Sequence, residues 1–137
     1  MTKSLTPFLM FQGRAEEALD FYVSLFPAAR VDELKKFPVD GTPNSGKVMM
    51  ARLTIHGQSF RVNDSMVGHQ FTFTPSFSMY VECESADELD ALFGRLSEGG
   101  AVMMAADNHG FSPRFGWVAD RFGISWQLNF GALTVDQ

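Results

Sequence analysis

Hydrophobic and polar residues follow two different periods along the chain, and the changes of period predict its elements. An apolar run over residues 5–11 predicts a strand. Apolar residues then recur at steps of three and four, which predicts an amphipathic helix that ends at Pro27. A strand over residues 30–37 follows, and then two alternating runs that meet at Gly57. The first half is therefore predicted to have the order β-α-β-β-β.

The second half repeats this order. A strand is predicted over residues 76–83, and Ser85 with Glu88 forms the capping-box pattern that begins a second helix. Gly99 and Gly100 end that helix. Three further strands are predicted, at residues 101–105, 113–120 and 124–130.

The two halves also match residue by residue, which indicates an internal duplication. An offset of 71 residues aligns the helices, and an offset of 66 aligns the terminal hairpins. Glycine, serine and asparagine match as well as the apolar positions: Ala15 with Ala86, Glu17 with Glu88, Gly57 with Gly123, Ser59 with Ser125, and Asn63 with Asn129. We predict a single domain over 1–137, made of module 1 (4–64), a linker (65–75) and module 2 (76–131).

Strand parity gives each predicted sheet one apolar face and one face with many polar groups. The polar positions include Arg61 and Asn63 in the first half, and Ser78, Tyr80 and Gln127 in the second. Such a face either meets solvent, as antiparallel sheets allow, or lines a cleft where polar groups converge on a ligand. Parity alone leaves both possibilities open.

Composition narrows the class of protein. The 137 residues include 16 acidic and 11 basic side chains, which speaks against a nucleic-acid-binding module. The single cysteine, Cys83, excludes an internal disulfide and fits a reducing compartment. No apolar run of about 18 residues could span a membrane, and the first residues lack the apolar core of a signal peptide. We therefore expect a soluble, cytoplasmic protein without a membrane partner.

Two longer motifs carry a resemblance to a known family. Residues 8–22 (FLMFQGRAEEALDFY) and 115–128 (FGWVADRFGISWQL) resemble the opening and closing signatures of PhnB-like proteins. These belong to the vicinal oxygen chelate superfamily, with glyoxalase I, extradiol dioxygenases and bleomycin- and fosfomycin-resistance proteins. Such sequences are often labelled 3-demethylubiquinone-9 3-methyltransferase. The resemblance implies an α+β fold of duplicated βαβββ modules, with mixed sheets cupped around a cleft, and a homodimer.

The resemblance also implies where a metal would lie. Superfamily members with metal chemistry take ligands from four strand positions, which correspond by motif to Pro7, Arg61, Ser78 and Gln127. Proline offers no side-chain donor, guanidinium is permanently cationic, and serine is a weak ligand. We therefore expect no metal at the usual site and no cofactor. The chain also lacks the glycine-rich strand-to-helix turn that methyltransferases use for S-adenosylmethionine, which speaks against methyl transfer.

These observations predict a metal-independent protein that binds a small molecule in a cleft suited to an anionic, partly aromatic or apolar ligand. Arg61 would pair with a carboxylate or phosphate. Tyr80 would provide a flat wall, and Trp117 could stack on the ligand. The other predicted residues would orient the ligand. The full set of predicted ligand-binding residues is Arg61, Asn63, Ser78, Tyr80, Trp117 and Gln127.

Two alternatives stay open. One is a metal-dependent lyase, isomerase or dioxygenase with a displaced metal site that uses His56, Glu82 or His109. The other is an interaction dimer with a vestigial cleft. Three phenylalanines in or just after the linker could cover a neighbouring subunit: Phe71, Phe73 and Phe77.

Overall fold

The computed structural model describes residues 1–134, and its elements follow the predicted order. In the first half these are β1 (Phe8–Phe11), α1 (Ala15–Leu25), β2 (Arg30–Lys36), β3 (Val48–Ile55) and β4 (Gln58–Asp64). In the second half they are β5 (Ser78–Glu82), α2 (Ala86–Ser97), β6 (Ala101–Asp107), β7 (Arg114–Ala119) and β8 (Ser125–Phe130). The predicted α+β class is confirmed. Within the described residues, no helix is long and apolar enough to cross a membrane.

The chain divides into two compact units, and each contains one mixed sheet of four strands. The first unit is Met1–Gln70 and the second begins at Phe71, a boundary inside the predicted linker. The strand orders are β1-β4-β3-β2 and β5-β8-β7-β6. In each sheet the first strand runs parallel to the last, and the remaining pairs are antiparallel. The same topology therefore occurs twice.

The first strand begins at Phe8 rather than at residue 5. Pro7 has no N–H, so it can only accept a hydrogen bond from the neighbouring strand, and its carbonyl oxygen accepts one from Arg61 N at 2.9 Å. Leu5 is largely exposed. The apolar run of residues 5–11 therefore begins before the segment that pairs in the sheet.

Each helix covers one face of the sheet in its own unit. In the first unit Leu19 and Tyr22 of α1 are buried, as are Leu53 and Val62 of the sheet. In the second unit the buried residues of α2 are Leu89, Leu92 and Leu96, and those of the sheet include Val118, Trp126 and Leu128. The opposite face of each sheet carries the alternate residues of every strand.

Helix α1 begins without a cap of its own. Arg14 occupies the N-cap position, and its side chain accepts no capping hydrogen bond. Asp64, buried at the end of β4, takes over this role: its Oδ1 accepts from Gly13 N at 2.7 Å and Ala15 N at 3.0 Å. Its Oδ2 accepts from Val48 N at 3.0 Å. One carboxylate thus joins three segments of the first unit.

The second helix is capped locally. Ser85 Oγ accepts from Glu88 N at 3.0 Å, as the sequence pattern predicts. The Glu88 carboxylate accepts from Glu84 N at 2.8 Å, one residue before the position that the capping box assigns. The two copies of the fold therefore begin their helices by different means.

We predict that Asp64→Ala destabilises the protein by about 3 kcal/mol or more, because three backbone N–H groups lose a charged acceptor in a buried site. Ser85→Ala is the matched control and should cost about 1 kcal/mol, since it removes one capping bond. Urea unfolding followed by circular dichroism measures both. Equal losses in the two variants would contradict the anchoring role of Asp64.

The hairpin between β3 and β4 turns through two residues in the left-handed region, His56 at φ 47° and Gly57 at φ 79°. Histidine is less suited to this conformation than asparagine. We predict that His56→Asn raises the free energy of unfolding by about 0.5 kcal/mol. Thermal unfolding would measure the gain, with Gln58→Asn outside the turn positions as the control. A loss of stability in the His56 variant would mean that the imidazole makes a stabilising contact.

Candidate functional site

The open face of the second sheet brings together four of the six predicted ligand-binding residues. In the pairing register Tyr80 lies opposite Gln127 on one side, and Trp117 lies opposite Gln127 on the other. Ser78 lies opposite Ser125, two residues before Tyr80 and Gln127. Because side chains alternate along a strand, all five project from the face that α2 does not cover.

A chain of hydrogen bonds joins the polar groups on this face. Trp117 Nε1 donates to Ser125 Oγ at 2.8 Å, and the hydroxyl oxygens of Ser125 and Ser78 are 2.6 Å apart. Gln127 Nε2 donates to Ser78 Oγ at 3.3 Å. The two serines therefore hold the indole ring and the amide in fixed orientations.

A cavity of about 400 Å³ lies over this face. Two of its rings, Phe111 and Phe115, meet edge to face with centroids 5.0 Å apart. The cavity lining consists of Tyr80, Met104, Phe111, Phe115, Trp117, Gln127, Leu133 and Thr134. Aromatic and aliphatic groups thus make up most of the wall, and the amide of Gln127 is one of its few polar groups.

The residues after β8 form part of the cavity wall. Asn129, whose side chain is fully buried, donates from Nδ2 to Gly131 O at 2.9 Å, and Thr134 N donates to Phe111 O at 2.8 Å. Gly131 has φ +92°, and a Cβ atom there would lie 2.6 Å from Pro113 Cγ. Only glycine fits this bend, which brings the following residues, Leu133 and Thr134, to the cavity wall.

Five lining residues were not among the sequence predictions: Met104, Phe111, Phe115, Leu133 and Thr134. Strand parity could have included Phe115, since it lies two residues from Trp117 in β7. Phe111, Leu133 and Thr134 lie outside the strands, and no periodicity points to them.

The other two predicted residues, Arg61 and Asn63, lie on the open face of the first sheet. Arg61 Nη1 is 3.0 Å from Glu33 Oε2, and the same carboxylate lies 3.1 Å from Arg52 Nη2. Asn63 Oδ1 is buried and accepts no hydrogen bond from a described residue. Glu33, which parity did not single out, therefore already shares its charge between the two arginines.

The pairing register shows that the first strands of the two halves, β1 and β5, correspond with an offset that differs by one residue from the offset of the helices. Phe8 lies opposite Arg61, whereas Tyr80 lies opposite Gln127. Since Arg61 and Gln127 are 66 residues apart, Phe8 is the counterpart of Tyr80, and the strand offset is 72. The helices keep the offset of 71, because Ala15 and Ala86 begin them.

The motif had placed Pro7 at the position that corresponds to Ser78 in the second half, and this placement was wrong. With the offset of 72, the residue that corresponds to Ser78 is Thr6, two residues before Phe8. The one-residue difference in the strand-to-helix connection concealed this. Its hydroxyl is as weak a metal ligand as that of serine. The set of four positions therefore still lacks the anionic or imidazole donors that hold a divalent ion.

The residues named for a displaced metal site lie in different settings. His56 is at the exposed tip of the β3–β4 hairpin. His109 stacks on Phe111, and its Nε2 lies 2.7 Å from Ala105 O. The Glu82 carboxylate accepts from Asn129 Nδ2 at 3.0 Å. Across residues 1–134, no three His, Cys, Asp or Glu side chains cluster as metal ligands would.

Cys83 is buried at the end of β5. Burial, together with the negative charge of Glu88, raises the pKa of its thiol to about 12. The thiolate, which is the reactive form, is therefore scarce at neutral pH.

We predict that Cys83 reacts with a thiol-specific disulfide reagent at pH 8 only after the protein is unfolded in urea, and the absorbance of the released thiol would measure this. Rapid modification of the folded protein would contradict the burial.

The raised pKa of Cys83 also favours the folded state below about pH 9. That contribution to the free energy of unfolding should decrease as the pH rises from about 9 towards 12, because the thiol of the unfolded chain ionises first.

Comparisons with known proteins agree with this architecture. The family described as 3-demethylubiquinone-9 3-methyltransferase matches residues 3–129. The chain is 43% identical to the PhnB protein of Bacillus cereus, with a TM-score of 0.89 over 94% of this chain and 100% of that one. An uncharacterised protein of Mycobacterium tuberculosis is 33% identical over 91% of this chain and 72% of its own.

A more distant solved structure shares the fold. The fosfomycin resistance protein FosX of Listeria monocytogenes is 15% identical and has a TM-score of 0.66, covering 97% of each chain. At this identity the likeness extends to the fold alone. The duplicated architecture described above is thus shared with that protein.

Proposed function

We propose that this chain, which belongs to the 3-demethylubiquinone-9 3-methyltransferase family of PhnB-like proteins, binds a small molecule in the cavity of its second unit without a metal ion. The observation that carries the proposal is the cavity itself. Its volume of about 400 Å³ lies in the range of small-molecule sites, and its wall is apolar with a few polar groups. Tyr80, Trp117 and Gln127 contribute to this wall.

The arrangement of the polar groups supports binding. The hydrogen bonds from Trp117 to Ser125 and from Gln127 to Ser78 hold two lining side chains before any ligand arrives. A site that is already ordered loses less conformational entropy on binding.

The family description names a methyltransferase, but the residues favour binding over methyl transfer. The connection from β1 to α1 is Gln12-Gly13-Arg14, which has one glycine and not the glycine-rich pattern of a nucleotide-type turn. Metal chemistry is disfavoured on separate grounds, since Thr6, Arg61, Ser78 and Gln127 are poor ligands as a set.

An anionic ligand, as the sequence predicts, depends on Arg61. The pairing of Arg61 with Glu33 reduces the positive charge available to a ligand, so the proposal does not rely on that residue. An Arg61→Ala variant tests the prediction directly: unchanged binding of anionic compounds would rule it out.

We also propose a homodimer in a reducing, cytoplasmic setting. Phe71 and Phe77 are 61% and 59% exposed, which is unusual for large apolar side chains and would be favourable at a subunit interface. Light scattering should give the mass of a dimer for the unmodified chain and the mass of a monomer for a variant that carries both Phe71→Ser and Phe77→Ser.

The reducing compartment is proposed from the cysteine content, since the single cysteine, Cys83, is buried and unpaired.

Thermal unfolding in the presence of a library of small uncharged and anionic compounds tests the proposed function. Compounds that raise Tm should lose most of that effect in Tyr80→Ala, because Tyr80 is 48% exposed and lines the cavity. Leu34→Ala, at a residue of the first unit that is 47% exposed, is the matched control and should keep it. A library without any effect, or an undiminished shift in Tyr80→Ala, would contradict the proposal.

Elemental analysis of protein purified without chelator tests the metal-independent part. Less than about a tenth of an equivalent of zinc, nickel, manganese or iron per chain is expected, given the poor donor set. A stoichiometric amount would favour the enzyme alternative.

A further inference from the structure

The charge of the cavity wall restricts the ligand. Among residues 1–134, none of the eight that line the cavity is an aspartate, glutamate, lysine, arginine or histidine. A charged group placed against these residues would lose part of its hydration and find no opposite charge among them. The wall therefore favours an uncharged group over a charged one.

The shape of the wall restricts the ligand further. Phe111, Phe115 and Trp117 present ring faces and edges, and aromatic rings prefer edge-to-face or offset-stacked partners. A volume of about 400 Å³ corresponds to roughly a dozen water molecules at about 30 Å³ each. One or two fused rings fit this space better than a long chain.

The hydrogen bonds of the site leave the carbonyl oxygen of Gln127 available as an acceptor. The only polar atom of Trp117 is used, since its Nε1 donates to Ser125 Oγ. The amide nitrogen of Gln127 donates to Ser78 Oγ, whereas its carbonyl oxygen, Oε1, accepts no hydrogen bond from a described residue. An acceptor in an apolar cavity is best satisfied by a ligand that brings an N–H or O–H group.

We infer that the cavity of the second unit takes an uncharged, flat aromatic molecule of one or two rings, whose N–H or O–H group donates to Gln127 Oε1. This inference rests on the proposed function and names the class of ligand.

The open face of the first sheet lacks the neutral, aromatic character of the open face in the second unit. The register positions of Trp117 and Gln127 are taken there by Arg52 and Arg61, which share Glu33. The same scaffold thus carries an ion-paired face in one copy and a neutral aromatic face in the other.

The two tryptophans offer an internal control for a test by nuclear magnetic resonance. In a protein labelled with ¹⁵N, Trp117 and Trp126 each give one indole N–H signal. Trp117 lines the cavity, whereas Trp126 is buried on the other face and donates to Asp120 Oδ2 at 2.9 Å. Unlabelled probes do not contribute to the spectrum, so a shift reports on the protein alone.

The probes are indole, 1-methylindole and indole-3-carboxylate. Indole should move the Trp117 signal in a saturable way and leave that of Trp126 nearly unchanged. 1-Methylindole, which lacks the N–H donor, should bind roughly tenfold more weakly, the effect of one lost hydrogen bond. The carboxylate should bind more weakly than indole. In Gln127→Leu, indole should lose its advantage over 1-methylindole.

Each result bears on the inference. Equal binding of indole and 1-methylindole, or tighter binding of the carboxylate, would overturn it. It would also be wrong if none of the three probes moved the Trp117 signal while other compounds still bound in a way that depends on Tyr80, and the proposed function would then stand. If no compound of the library bound either, the proposed function would fall together with the inference.

Discussion

The parallel pairing of β5 with β8 is the constraint on which the candidate site depends. It sets Ser78 against Ser125 and Tyr80 against Gln127, and the antiparallel partner β7 then brings Trp117 to the same point. A slip of one residue would turn these side chains towards α2 and would move Trp126 into solvent. The buried Trp126, which donates to Asp120, therefore stabilises the register from the core side. The same strand pairing therefore places the site residues on one face of the sheet and the core residues on the other.

The duplication provides two copies of this scaffold, and their open faces have diverged in chemistry. In the first unit, two arginines lie opposite each other on neighbouring strands, an arrangement that would be repulsive without the shared carboxylate of Glu33. In the second unit the same positions carry Trp117 and Gln127, and two serines accept hydrogen bonds from the indole Nε1 and from the amide nitrogen. The backbone pairing is conserved between the copies because the helix-covered faces impose it. The open faces are not constrained in that way.

Periodicity was sufficient to predict the elements and the two faces of each sheet, since both follow from local geometry. It could not supply contacts between segments distant in the chain. Asp64 caps α1 from about fifty residues away, and Glu33 pairs with Arg61 across the sheet. Leu133 reaches the cavity only because Gly131 bends the chain. The counterpart of Ser78 was misplaced by one residue for a similar reason, because equal helix positions do not ensure equal strand registers.

The residues at the four strand positions support our proposal that the second unit recognises a ligand by hydrogen bonds rather than through a metal ion. A divalent ion needs several anionic or imidazole donors aimed at one point, whereas Ser78 and Gln127 are neutral and already bonded to each other. That bond orients the amide of Gln127 and leaves its carbonyl oxygen for a ligand. A hydrogen bond formed beside apolar groups is stronger than the same bond in bulk water. In the proposed site, the neutral residues at these positions would therefore suit a ligand that brings a neutral hydrogen-bond donor.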